Sequence, residues 1–267
     1  MSLPDPWSHL RGLTPARIAI GRTGASLPTR EVLGFALDHA RARDAVHAPF
    51  DAGLVAAQVE TLGLTTLTVE SAAPDRATYL RRPDLGRTLS ATARTRFEGL
   101  RKAPRDLALV IADGLSSAAV HAHAAPLLAA LQPAIAAAGW KLGPVVLAHQ
   151  ARVALGDEVG ALLKARMVVL LVGERPGLSS PDSLGAYLTF GPRPGRTDAE
   201  RNCISNIRDE GLSYEAAAFK LAWHAREALR LGLTGVALKD ESDTALLGVV
   251  RPLPGREGGT RDEVVGG

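Results

Sequence analysis

LALVIADGLSSAAVHAHAAPLLAALQPAIAAAGWKLGPVVLAHQARVALGDEVGALLKARMVVLLV, residues 107–172, decides the fold. Three short aliphatic runs stand in it, at 107–111, 145–147 and 167–172, and none shows polar alternation. Strands buried on both faces of a parallel sheet read this way. Between them, residues 116–138 and 155–164 are rich in Ala and Leu and read as helices. The order is strand, helix, strand, helix, strand, which predicts an α/β fold with a Rossmann-like parallel sheet and flanking helices.

Working outward, residues 64–69 follow Gly63 with Thr, Leu and Val and predict a further strand, with a short helix before it at 54–62. Upstream, Thr29, Arg30 and Glu31 open an amphipathic helix that runs to about His47 and is closed by Pro49, while 14–30 is a loop broken by Pro and Gly. Downstream, 186–190 predicts a strand, Tyr214–Leu231 a long helix stopped by Gly232, and 236–238 a last strand. The expected organisation is an N-terminal helical domain over 1–55, a Rossmann-like domain over 56–250 and a flexible tail over 251–267.

The chain of 267 residues, 46% hydrophobic and 22% charged, is long and apolar enough for a large core. The longest apolar run, 167–172, falls far short of the roughly 20 residues that span a bilayer, and residues 1–26 hold no hydrophobic segment of signal-peptide type. A single cysteine, Cys203, excludes an internal disulfide framework and a Cys-rich zinc site, so the expected address is cytoplasmic. Net charge is only +3 and aromatics are 4%, which argues against nucleic acid as a partner. The seven arginines between Arg76 and Arg101 read as a solvated helical face.

In a parallel α/β sheet ligands bind outside the carboxyl ends of the strands, where loops and helix N-termini present backbone N–H groups. Three loops therefore matter: Asp113-Gly114-Leu115-Ser116-Ser117, His149-Gln150-Ala151-Arg152-Val153, and Gly173-Glu174-Arg175-Pro176-Gly177-Leu178-Ser179-Ser180. Glu174 is either a ligand-facing carboxylate at the sheet edge or the partner of Arg175 or a helix cap. Asp113 reads as an N-cap or turn residue, and Cys203 as a small filler. His121 and His123, two apart on a helix, point in different directions. No G-x-G-x-x-G, Gly-Lys-Ser/Thr loop, nucleophile elbow, His-Glu-x-x-His or Asp-x-His-x-x-Gly is present, so the residues alone show no catalytic set and no metal site.

Seven motifs in order, Asp5-Pro6-Trp7, Thr14-Pro15-Ala16-Arg17-Ile18, Leu27-Pro28-Thr29-Arg30, Arg81-Arg82-Pro83-Asp84-Leu85-Gly86-Arg87, Asp113-Gly114-Leu115-Ser116, Val172-Gly173-Glu174-Arg175-Pro176-Gly177-Leu178 and Cys203-Ile204-Ser205-Asn206-Ile207, resemble the small subunit of ethanolamine ammonia-lyase. The resemblance runs from about Asp5 to about Leu238. It implies a lyase that turns ethanolamine into acetaldehyde and ammonia by radical chemistry on adenosylcobalamin. It also implies a large TIM-barrel subunit as partner, in a hetero-oligomer, with the cobalamin between the two chains and retaining its own base as axial ligand. That base-on mode accounts for the missing Asp-x-His-x-x-Gly, and a partner that carries the substrate accounts for the missing acid–base set. Carried over by motif, the cofactor contacts of this subunit fall on Val153, Glu174 and Cys203. Some relatives packaged in bacterial microcompartments carry a longer N-terminal extension, and here only residues 1–4 precede Asp-Pro-Trp, which argues against packaging. Two rival readings stay open at this point: a self-sufficient nucleotide-binding enzyme on the same sheet, and a purely structural interface subunit.

Overall fold

The computed structural model describes residues 7–14, 16–100 and 103–243. The tail expected over 251–267, Arg101 and the Asp5-Pro6 motif lie outside them. In chain order the elements are α1 (Thr29–His47), α2 (Ala52–Glu60), β1 (Thr66–Glu70), α3 (Arg76–Arg81), α4 (Ala91–Glu98), β2 (Arg105–Ala112), α5 (Ser117–Ala138), β3 (Val145–His149), α6 (Leu155–Leu162), β4 (Ala165–Gly173), β5 (Leu184–Phe190), β6 (Asn202–Ile207) and α7 (Tyr214–Leu231). The six strands make one sheet in the order β1-β3-β2-β4-β5-β6. The first four run parallel, and β5 and β6 are antiparallel to their neighbours.

The apolar runs behave as their lack of alternation requires. Side chains alternate across a strand, so Leu107, Leu109, Ile111, Val145, Leu147, Met167, Val169 and Leu171 face one layer with α2, α5 and α7. Ala108, Val110, Ala112, Val146, Ala148, Val168, Leu170 and Val172 face the other, with α4 and α6. Both faces are covered, and the fold is α/β as the sequence predicts. α1 stands apart: it buries only Ala45, while Val32, Leu33, Phe35 and Leu37 are exposed. α2 places Val55 and Val59 in the core.

Four sequence readings change. Residues 236–238 form no strand; Gly235–Ala237 is a 3-10 turn, set by the left-handed backbone of Gly235 at φ 87°. The segment after Arg201, for which the sequence predicts no strand, is the edge strand β6. One face of an edge strand can meet solvent, so its polar Asn, Cys and Ser carry no strand signal. No helix follows β4, which turns back directly into β5, so the Glu174 loop joins two antiparallel strands and is not a strand-to-helix turn. Finally, the arginines from Arg76 onward are not one solvated face. Arg81, Arg82, Arg87, Arg94 and Arg96 are exposed, but Arg76 is half-buried and donates to the carbonyls of Val46 (2.8 Å) and Gly114 (2.8 Å).

Candidate functional site

β2 leads into α5 on one face of the sheet and its neighbour β3 leads into α6 on the other. Loops that part to opposite faces leave a crevice at the strand ends. A cleft of about 400 Å³ lies there, lined by Tyr79, Gly114, Leu115, Ala151, Arg152, Val153, Val172, Gly173, Glu174, Arg175 and Tyr187. All three loops chosen from the sequence meet in it.

Its floor is backbone. Leu115 N–H donates to the Gly173 carbonyl (2.8 Å), which draws the ends of β2 and β4 together. Gly114 has φ +57°, and a Cβ there would lie 2.2 Å from that carbonyl oxygen, so only glycine fits. Asp113 is not a helix cap: Ser116 caps α5 by accepting from Ala119 N–H (3.3 Å). Instead the Asp113 carboxylate, 1% exposed, crosses to the β3 loop and accepts from Gln150 N–H (2.9 Å) and Ala151 N–H (3.0 Å). Burial pushes its pKa up against those two bonds and the Arg76 guanidinium at 3.5 Å.

One wall is an aromatic sandwich. Tyr79 is fully buried, donates its hydroxyl to Ala151 O (3.1 Å), and lies between Arg76 and Arg152, whose guanidinium carbons stand 4.9 and 4.3 Å from the ring centroid. Burial raises the Tyr79 hydroxyl far above its usual value, so it stays protonated. Arg152 Nε is buried with no hydrogen-bond partner among the described residues, and Arg152 makes no ion pair there.

The opposite wall carries Glu174. Its N–H donates to Ser183 O (2.9 Å), and its Oε2 accepts from Ser183 Oγ (2.5 Å) and Asn206 N–H (3.3 Å). It neither pairs with Arg175 nor caps a helix. Arg175 is exposed and unpaired among the described residues.

Val153 and Glu174 thus line the same cleft. Cys203 does not line it; it sits on β6 in register with Tyr187, which does. Cys203 is exposed on the edge strand and is not the small buried filler the sequence suggests; desolvation by its surroundings pushes its thiol up, and the Glu174 carboxylate further, against a hydrogen bond with Tyr187. It is a neutral thiol and not a primed nucleophile. Sequence reading did not find Tyr79, which sits upstream of the three loops on α3 and enters the site only through the tertiary fold. His121 and His123 do diverge: His121 Nε2 accepts from Asp51 N–H (3.0 Å), while His123 Nδ1 meets the Tyr214 hydroxyl (2.8 Å).

The polar set comprises one carboxylate acceptor and two guanidiniums with no carboxylate partner among the described residues, Arg175 and Arg152, the latter giving only Nη2 to Tyr79 O (3.4 Å) and leaving Nε free. Carboxamide groups, which both donate and accept, and a phosphate would be satisfied by it. The side chains and cleft suit one flank of a corrinoid, whose rim is made of carboxamides and whose tail bears a phosphodiester. The cleft is too small to enclose such a ligand whole.

Comparison with known proteins bears on the whole of this architecture. A model of the family described as Ethanolamine ammonia-lyase light chain (EutC) matches residues 4–239, which take in every strand and the cleft. A Bradyrhizobium diazoefficiens protein named ethanolamine ammonia-lyase small subunit is 61% identical over 238 residues, 89% of this chain and 91% of its own length. A Rhodopseudomonas palustris protein of the same name is 57% identical, covering 91% of this chain and 94% of its own. One from Xanthomonas campestris pv. campestris is 57% identical with 91% of each covered. The matched span takes in the loops that shape the cleft as well as the core that holds them, and the chain belongs to the ethanolamine ammonia-lyase small-subunit family.

Proposed function

We propose that the chain is the small subunit of an adenosylcobalamin-dependent ethanolamine ammonia-lyase, a carbon–nitrogen lyase that turns ethanolamine into acetaldehyde and ammonia together with a large catalytic subunit. The observation that carries this reading is the meeting of Val153 and Glu174 at one cleft, beside Arg152 and Arg175, neither of which has a carboxylate partner among the described residues, in a chain of this family. Adenosylcobalamin, when bound, supplies the radical chemistry.

The chain's own residues bind and orient. Glu174 accepts from carboxamide N–H groups on the corrin rim, and Arg152 and Arg175 donate to carboxamide carbonyls or the tail phosphate. Val153 and the backbone at Gly114 pack against the ligand, and Cys203 supports that wall through Tyr187. Tyr79 excludes water at its wall of the cleft. Because the cleft covers only part of so large a ligand, the remaining surface is left for the large subunit, and the small subunit is inactive alone. On the same reading residues 1–55 make up the helical domain and 56–250 the domain facing the cofactor, and the complex works in the cytoplasm.

Co-expression with the large subunit of the same source tests this. The complex is expected to bind adenosylcobalamin and release acetaldehyde from ethanolamine, and neither chain alone to do so. Glu174→Gln should weaken cofactor Kd about tenfold or more, with little change in the KM for ethanolamine. A complex whose corrin lies away from residues 153, 174 and 203 would refute the reading.

A further inference from the structure

Glu174 has two carboxylate oxygens in unequal surroundings. Oε2 is held by the Ser183 hydroxyl at 2.5 Å and by Asn206 N–H at 3.3 Å, whereas Oε1 takes no hydrogen bond from the described residues. Ser183 is itself 7% exposed, and its carbonyl accepts from Glu174 N–H, so the two residues are joined through backbone and side chain at once. Asn206 presents its N–H from a left-handed backbone at φ 59°, a conformation Asn tolerates, and its carbonyl is fixed by Leu212 N–H at 2.7 Å.

The third feature is an absent side chain. Gly185 lies on β5 next to the point where its pairing with β6 shifts register. A Cβ at Gly185 would lie 2.8 Å from Glu174 Oε1, 3.1 Å from Glu174 Cγ and 3.2 Å from the Tyr187 ring. The group that would have to give way is the carboxylate end of Glu174. Bulges of this kind commonly re-aim a side chain beside a site.

We infer that Ser183 and Gly185 are positioning residues for cofactor binding: Ser183 ties down Oε2 and Gly185 leaves the room through which Oε1 is offered to the ligand. Neither touches the ligand. The inference rests on the proposed role of Glu174 and goes beyond it by naming the oxygen and what aims it. A carboxylate fixed before binding loses little rotamer freedom when it accepts a carboxamide, whereas a free one must be ordered at that moment.

The test is spectrophotometric titration of the apo complex of both subunits with adenosylcobalamin, reading Kd, alongside the thermal midpoint of each variant. Ser183→Ala should weaken Kd about tenfold, the worth of one hydrogen bond to a charged acceptor. Ser183→Thr, which keeps the hydroxyl, should restore most of the affinity. Gly185→Ala should weaken Kd by a similar factor. In the Glu174→Ala background, where no carboxylate remains to be aimed, both changes should lose their effect on Kd. If they weaken Kd equally in both backgrounds, their effect is a general disturbance of the fold and the inference is overturned; wild-type Kd in both single variants overturns it as well. If Glu174→Ala alone binds cofactor as the wild type does, the assigned role of Glu174 falls first and this inference with it. Loss of affinity in Glu174→Ala without loss in the other two sinks only the positioning.

Discussion

Arg201, at the start of β6, and Asp157, in the first turn of α6, meet in a bidentate pair with Nη1–Oδ1 2.6 Å and Nη2–Oδ2 2.7 Å, both side chains almost wholly out of solvent. Arg201 also donates to the Thr189 hydroxyl (3.0 Å) and the Arg196 carbonyl (3.0 Å). Two residues before α6 begins stands Val153, and two residues after Arg201 stands Cys203. The pair therefore couples the helix beside one proposed cofactor contact to the strand that bears another.

A buried pair broken on one side leaves an uncompensated charge. Arg201→Met should cost about 3–5 kcal/mol of folding stability, while Arg201→Met with Asp157→Leu should recover most of it. Urea denaturation of the three proteins decides this: a double variant no more stable than the single one would show that the pair contributes more than charge compensation.

Arg76 ties the end of α1 to the cleft by donating to Val46 O and Gly114 O. Arg76→Ala leaves both carbonyls and the buried Asp113 short of a partner and should cost about 2 kcal/mol. Amide exchange should quicken at residues 46–48 and 113–115 and not in β5. Unchanged protection at 113–115 would refute the tether.

Gly114→Ala places a methyl group against the Gly173 carbonyl on a left-handed backbone. The expected loss exceeds about 2 kcal/mol, and adenosylcobalamin affinity should fall with it because the floor of the cleft must open. Thermal melting and cofactor titration of the complex measure both. A variant with wild-type values in each would mean that this contact does not shape the cleft.

Glu200 closes the 3-10 turn Asp198–Glu200, and its carboxylate accepts from Thr197 N–H at 2.7 Å, from Arg196 and from the Thr197 hydroxyl. These hold its carboxyl at about 2, below the ordinary 4.5. A carboxyl lowered on folding contributes stability that is full above its unfolded value and is lost as pH falls toward the folded one. Between pH 4.5 and 2 the thermal midpoint of the wild type should fall more steeply than that of Glu200→Gln, and added salt should shrink the difference, since the group is exposed. Parallel pH curves would contradict the assignment.

The centre of the sheet was legible because β2, β3 and β4 carry short unbroken aliphatic runs, and burial on both faces demands such runs. β6 was not: an edge strand of Asn, Cys, Ser and Asn is held by pairing with β5 and by Arg201, neither of which leaves a local pattern. Among site residues, the loops at 113–117, 149–153 and 173–180 were readable from their place after the aliphatic runs. The role of Asp113 as a brace between loops was not, because its partners, Gln150 and Ala151, are reached only across the sheet edge.

The sequence by itself determined β1 to β5 and the helices α1, α2, α5, α6 and α7, since side-chain period and glycine placement act over a few residues. It also determined family membership, which rests on motifs spread along the chain. Tertiary structure alone decided the direction of β5 and β6, the sandwich of Tyr79 between Arg76 and Arg152, and the aim of Glu174. Each of those depends on contacts between residues far apart in the chain, or on the space left where a side chain is missing, and such contacts are selected by the energy of the packed whole.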